Sequence, residues 1–297
     1  IGSGLVGSEM CIRDRFNTIR MELYRMWKTR SLYILWIVMA VLILFTTNLN
    51  ASDWKSYTEA EQQENYEFTQ EATKLENINI GMNVNIPTKQ GEEVTVFDSA
   101  YANLQGKFIA LFMVIFAVLY SMADMTSGYV KNVAGQMKHR ENLIAAKAVA
   151  LFVFTVCTMG VYVLVQVISN VICFGSLAWG TWSEFLSYLG IQTLLHFALN
   201  LIAMMLAIVI HNNVFSITLV ICICMNLMTI LYSGVDKLIM KMGTADFHLI
   251  SYTVTGKISM LGMKNSCREI AIAAIVSLAF GLISLVISSV VFRKRDI

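Results

Sequence analysis

Three polar side chains recur every four residues inside one otherwise apolar stretch: Gln192, His196 and Asn200. At 3.6 residues per turn they share one face of a helix. A row of amide and imidazole groups in an apolar medium can do two things. It can line a path for a polar substrate, or it can hydrogen-bond neighbouring helices at about 0.6–2 kcal/mol per contact. On the residues alone both readings are open. Catalysis has little to work with. The sequence has no G-x-x-x-x-G-K-[ST] phosphate loop, no H-E-x-x-H pair and no G-x-S-x-G elbow. His139, His196, His211 and His248 are scattered, and no pair of acids lies inside an apolar stretch where it could relay protons. Cys222 and Cys224 form a C-x-C, but helical geometry points them about 200° apart. With most of the six cysteines in apolar stretches, they read as small membrane residues and not as a secreted disulfide framework. No metal site or cofactor is expected in this chain.

The elements that position these residues follow from hydropathy. Of 297 residues, 57% are hydrophobic and 14% charged, and the mean hydropathy is +0.63. A soluble chain needs nearly twice that share of charge for its surface. The expected fold is therefore an all-α membrane protein with six transmembrane helices. Apolar runs place them at 31–47, 106–123, 148–174, 186–210, 214–231 and 270–292. Residues Phe16 to Arg30 read as an amphipathic helix lying at the membrane interface, with Phe16, Ile19, Leu23, Met26 and Trp27 as its apolar residues. Residues 1–15 show neither a signal-peptide pattern nor amphipathicity, and are expected to be a non-native leader. Residues 16–297 then form one transmembrane domain.

Charge sets the expected topology. The segment 48–105 holds ten acids and three lysines, a balance of −7, and the single proline, Pro87. Within it, Ser56 to Glu76 reads as helix and Val94 to Phe97 as a short strand. The N-terminal arm, the 124–147 loop and the C-terminal tail are basic. Under the positive-inside rule these three face the cytoplasm, and 48–105 is extracellular. The segment 234–268 lies on the outer side in this scheme although it carries Lys237, Lys241, Lys257, Lys264 and Arg268; it is expected to associate with the membrane there. In the sixth run Ala273, Ser277, Gly281, Ser284 and Ser288 form a small-residue stripe suited to close helix packing, within the chain or across a dimer.

The 124–147 loop carries the most specific pattern: an acid at the end of the second run, a Gly-Tyr-x-Lys-Asn stretch, an arginine, and a lysine opening the third run. It resembles the first cytoplasmic loop of ABC-2 type permeases, the membrane subunits of one class of ABC transporter. The matching residues are Asp124, Gly128, Tyr129, Lys131, Asn132, Arg140 and Lys147; the family more often has glutamate at the position of Asp124. The order of elements after residue 15 is also similar. The resemblance implies a permease, acting as an exporter in the cell membrane with both termini cytoplasmic. It implies a separate ATPase subunit that binds ATP and magnesium, and a second permease chain, identical or not. Asp124, Gly128, Lys131, Asn132, Arg140 and Lys147 would then couple the permease to the ATPase, and Gln192, His196 and Asn200 would lie on the substrate path. Nucleic acid is not an expected partner. The competing expectation is a stand-alone sensor or immunity protein whose acidic outer segment concentrates a cationic peptide.

Overall fold

The computed structural model of the chain describes residues 3–71, 81, 84–126, 141–175, 177–241 and 248–294. Among them all regular structure is helical. Eleven α-helices follow in order: α1 Ser3–Lys28, α2 Arg30–Ser56, α3 Glu59–Glu71, α4 Val96–Gln105, α5 Phe108–Thr126, α6 Glu141–Phe174, α7 Trp182–Ile210, α8 Asn213–Cys224, α9 Thr229–Lys241, α10 Val254–Met260 and α11 Cys267–Lys294. A 3-10 turn, Leu249–Tyr252, precedes α10.

Four helices, α2, α6, α7 and α11, are long and apolar enough to cross a membrane unaided. Two further pairs pass together but are bent: α4 with α5 by 52°, and α8 with α9 by 61°. The described residues therefore hold four to six candidate spans, the higher number if each bent pair is one. Large apolar side chains on the outward faces fit a hydrocarbon surround: Ile34, Ile37 and Val41 on α2, Leu164, Ile168 and Ile172 on α6, Leu278, Leu282 and Val286 on α11.

Polar pairs fix the order of helices in the bundle, and α6 makes most of them. Trp36 Nε1 donates to Thr158 Oγ1 at 3.0 Å, tying α2 to α6. Gln166 donates to Thr47 at 3.3 Å and accepts from Asn103 at 2.9 Å, joining α2, α4 and α6. Ser99 of α4 donates to Asn170 Oδ1 at 2.7 Å. Asn200 of α7 donates to Thr155 Oγ1 at 2.9 Å. Gln166, Asn170, Thr155, Thr158 and Asn200 are all fully buried, so each bond forms where water cannot compete.

α7 and α11 pack side by side. The small stripe of Ala273, Ser277, Gly281, Ser284 and Ser288 is buried, and a Cβ added at Gly281 would lie 3.3 Å from Leu201 Cδ1. The stripe thus serves packing within the chain. Lys264 lies 3.8 Å from Glu184 while Gly281 faces Leu201, so the two helices run parallel.

Three expectations change. Val94 to Phe97 is not a strand: Thr95 caps α4, its hydroxyl accepting from the Asp98 amide while the Asp98 carboxylate accepts from the Thr95 amide. This reciprocal capping box outweighs the β-branched composition. The helix expected over Ser56 to Glu76 covers Glu59–Glu71, with Thr58 donating to Glu61 at its start through both amide and hydroxyl; those bonds hold the Glu61 carboxyl below its ordinary pKa. Residues 72–76 lie outside the described ones. Third, α1 is not only a surface helix. Its buried stripe is Thr18, Glu22 and Met26, turned toward α6, whereas Phe16 is exposed.

Within 234–268, the described stretch that holds α10 packs at the end of the bundle. The carbonyls of Ile258 and Ser259 accept from Gln192 and Gln105 at 3.2 Å each. Gly256 lets the 3-10 turn fold closely onto the start of α10, because a Cβ there would sit 1.9 Å from the Ile250 carbonyl oxygen. Replacing Gly256 with alanine is expected to destabilise the protein by about 1–3 kcal/mol. Gly190→Ala, where nothing lies within 4 Å, should be neutral. Detergent melting curves of the two variants check this; equal melting temperatures would contradict the packing of α10.

Candidate functional site

The strongest electrostatic feature lies where α1, α5 and α6 meet. Glu22 is completely buried on α1. Its Oε2 accepts a 2.6 Å hydrogen bond from the Tyr120 hydroxyl of α5 and a 2.9 Å bond from Arg25 Nη2. Lys147 of α6, 3% exposed, places Nζ 3.6 Å from the same oxygen. Both cations also lie over the Tyr120 ring, Arg25 at 5.3 Å and Lys147 at 4.8 Å from its centroid. One carboxylate is thus held by two cations and a phenol, and the aromatic face adds to the attraction. A carboxylate buried alone would be costly; with these partners it becomes a joint that forms only when three helices are in place.

The position of this joint follows from the sequence. Glu22 and Arg25 are spaced by three and share a face of α1. Thr29 alone separates α1 from α2, and its hydroxyl donates to the Arg25 carbonyl at 2.9 Å, closing the turn. Trp27, Tyr33 and Trp36 pack edge-to-face beside it, with centroids 6.0–6.1 Å apart along the chain of three. Such an aromatic group suits the membrane–water boundary.

The joint also marks one end of the bundle. Tyr120 is near the end of α5 and Lys147 near the start of α6, so the joint flanks the segment 127–140 on both sides. His211, at the end of α7, approaches Met125 Sδ at 3.2 Å. Since α11 runs parallel to α7, its Arg293 and Lys294 end on this side too. The described residues of the three basic segments therefore share one end. At the other end, Lys55 donates to the Cys173 carbonyl at 3.0 Å, and the Val96 amide to the Ala178 carbonyl at 2.7 Å. The acidic segment belongs there. The five glutamates of α3, Glu59, Glu61, Glu64, Glu67 and Glu71, are all exposed.

Of the loop residues singled out in the sequence, Gly128, Lys131, Asn132 and Arg140 lie outside the described residues, and so does the side chain of Asp124. Lys147 lies in the joint. Glu22, its partner, is invisible to apolar periodicity; its signal was an acid three residues before an arginine in the stretch 16–30, whose other charged residues are all bases. Gln192, His196 and Asn200 are all fully buried on α7. Gln192 donates to the Tyr188 hydroxyl at 3.0 Å, and His196 Nδ1 lies 2.7 Å from the Gln192 carbonyl. Each of the three also keeps one polar atom without a hydrogen-bond partner among the described residues: Gln192 Oε1, His196 Nε2 and Asn200 Oδ1. Gln192 and Asn200 thus tie α7 to α10 and α6, and all three side chains present a row of unused polar atoms. Beyond Gln192, toward the acidic end, a cleft of about 170 Å³ opens between α7 and the stretch before α11, with Glu184, Ser187, Tyr188 and Lys264 in its wall. Among the described residues no group of three or more His, Cys, Asp or Glu could hold a metal.

These features define a multi-pass, all-helical membrane protein with a buried charged joint at its basic end. Residues 66–297 match the model of a family described as protein of unknown function (DUF2705), and the chain belongs to that family. No curated protein matches it.

The joint predicts a specific energetic pattern. Lys147→Met leaves Glu22 with fewer buried partners and should cost on the order of 3–5 kcal/mol. Adding Glu22→Leu to that variant should recover most of the loss, since a pair replaced by apolar residues is often neutral. Melting of the two single variants and the double variant, as a double-mutant cycle, checks this; additive losses would show that the two side chains do not interact.

Proposed function

We propose that this chain is the membrane subunit of an ABC transporter of the ABC-2 type, acting as an exporter driven by a separate ATPase subunit. The observation that carries the reading is the Glu22–Lys147–Tyr120 joint, which binds the amphipathic arm to both helices that flank residues 127–140. A displacement of that loop is transmitted to α5, α6 and α1 as one unit, because the joint breaks only at the cost of a buried, unpaired charge. In this reading the basic end faces the cytoplasm, in keeping with the positive-inside rule. Gly128, Lys131, Asn132 and Arg140 contact the ATPase, with Asp124 and Lys147 at the two ends of the loop. Lys147 holds the loop's exit to the bundle and does not itself touch the partner. The chain performs no ATP chemistry; ATP and magnesium belong to the partner.

The row of unused polar atoms on Gln192, His196 and Asn200 supports a polar path along α7. A second permease chain completes the path in this reading, as a homodimer or a heterodimer, and the outward apolar faces leave room for it. The exposed glutamates of α3 favour a second reading, a sensor or immunity protein that concentrates a cationic peptide at the acidic end.

Mild-detergent purification of the tagged chain from cells expressing its neighbouring genes distinguishes the two. The transporter reading predicts a stoichiometric partner with a phosphate-binding loop and measurable ATPase activity. Gly128→Val and Arg140→Ala should each reduce its recovery at least tenfold while leaving membrane insertion intact. A pure chain without ATPase would overturn the transporter reading in favour of the sensor.

A further inference from the structure

The two bent spans break side by side. The α4–α5 break falls at Gly106 and Lys107, and the α8–α9 break at 225–228. Helix α8 packs on α5, and Cys224 Sγ approaches the Lys107 carbonyl at 4.0 Å. Both breaks use a non-glycine residue in the left-handed region, Lys107 at φ 59° and Asn226 at φ 56°. For such residues that conformation is uncommon and concentrates at functional positions.

Lys107 is unusual for a second reason. It is 2% exposed, and its Nζ has no hydrogen-bond partner among the described residues. Thr229 Oγ1, at the start of α9, is likewise buried and unpartnered. Elsewhere in the bundle Lys147 faces a carboxylate and Lys55 a carbonyl. A lysine and a hydroxyl are therefore held at adjacent helix breaks with their hydrogen-bonding capacity unspent. Broken helices at membrane depth recur where a polar ligand group is held, because free backbone amides and carbonyls gather there. Next to the breaks, α9 turns an apolar face outward through Ile230, Leu231 and Leu238, each more than 60% exposed. From the acidic end the site is covered by the chain itself, the Gly81 amide donating to the Met225 carbonyl at 2.9 Å.

We propose that the junction of the two breaks binds a phosphate group, with Lys107 as its charged contact, Thr229 as a hydroxyl contact, and the outward face of α9 as the seat for the acyl chains of an anionic lipid. Lys107 is enclosed, so the phosphate enters as α9 swings about the break at 225–228. Basic pockets between membrane helices take anionic headgroups by this combination of charge and apolar flank. The inference is independent of any ATPase partner.

The test uses the full chain in nanodiscs of phosphatidylcholine, with and without phosphatidylglycerol, read by native mass spectrometry of the released protein. The wild type is expected to retain phosphatidylglycerol at least tenfold over phosphatidylcholine. Lys107→Met should lose that preference and Lys107→Arg should keep most of it. Inorganic phosphate provides the other arm: a rise in melting temperature of the wild type in phosphatidylcholine, absent in Lys107→Met, assigns the site to free phosphate. Lys107→Met removes a buried amine that has no hydrogen-bond partner among the described residues, so without anionic ligand it should melt no lower than the wild type. Equal retention of phosphatidylglycerol by the wild type and Lys107→Met would overturn the proposal. So would the absence of both the lipid preference and the phosphate effect.

Discussion

A polar side chain in an apolar medium must find a partner within the protein, and this requirement organises the bundle around α6. Hydrophobic burial cannot choose among helix arrangements in a membrane, because lipid tails are as apolar as leucine. Partner choice falls to the few polar groups. From its basic end to its acidic end, α6 presents Lys147 to Glu22, Thr155 to Asn200, Thr158 to Trp36, Gln166 to Thr47 and Asn103, and Asn170 to Ser99. Those partners lie on α1, α7, α2 and α4. One helix thereby sets the neighbours and the axial register of four others.

The same helix links the two regions with functional potential. Its first turns carry Lys147, which ties it to Glu22 of the α1 arm. Its middle carries Thr155, which holds Asn200 and so one member of the polar row on α7. A movement imposed at the basic end has a direct mechanical route to that row through a single rigid element. The acidic end is built differently. There α4, α9 and α10 are short, the spans are broken, and the contacts are largely side chain to backbone, as in Gln105 to Ser259 and Gln192 to Ile258. Short elements joined by such bonds rearrange more readily than α6 can.

The four long spans were legible in the sequence because apolar runs of about twenty residues have few other uses. Their ends were not: α7 begins at Trp182 and α6 at Glu141, where polar first turns disguise helix as loop. The breaks were illegible for a different reason. Neither holds a proline; Gly106 stood at the edge of an apolar run, where it read as the start of that run, and Asn226 takes the left-handed conformation inside an otherwise apolar run. The capping box Thr95-x-x-Asp98 was present as a pattern, but Val94 and Val96 drew the reading toward a strand. In the candidate site Lys147 stood out in the sequence by its place in the loop pattern, though not as a partner of Glu22. Glu22 was not, because its partners Tyr120 and Lys147 are 98 and 125 residues away in the chain, and no local period connects them.

In the proposed transporter reading an ATPase docks at the basic end, where α1 meets the ends of α5 and α6. In-cell photocross-linking tests this most directly, with the photoreactive residue placed in turn at the exposed Tyr24 of α1, at Lys131, and at Leu177 on the opposite end. The account predicts adducts to a nucleotide-binding subunit from positions 24 and 131 and none from 177. Adducts from 177 alone, or none to any nucleotide-binding protein, would contradict it.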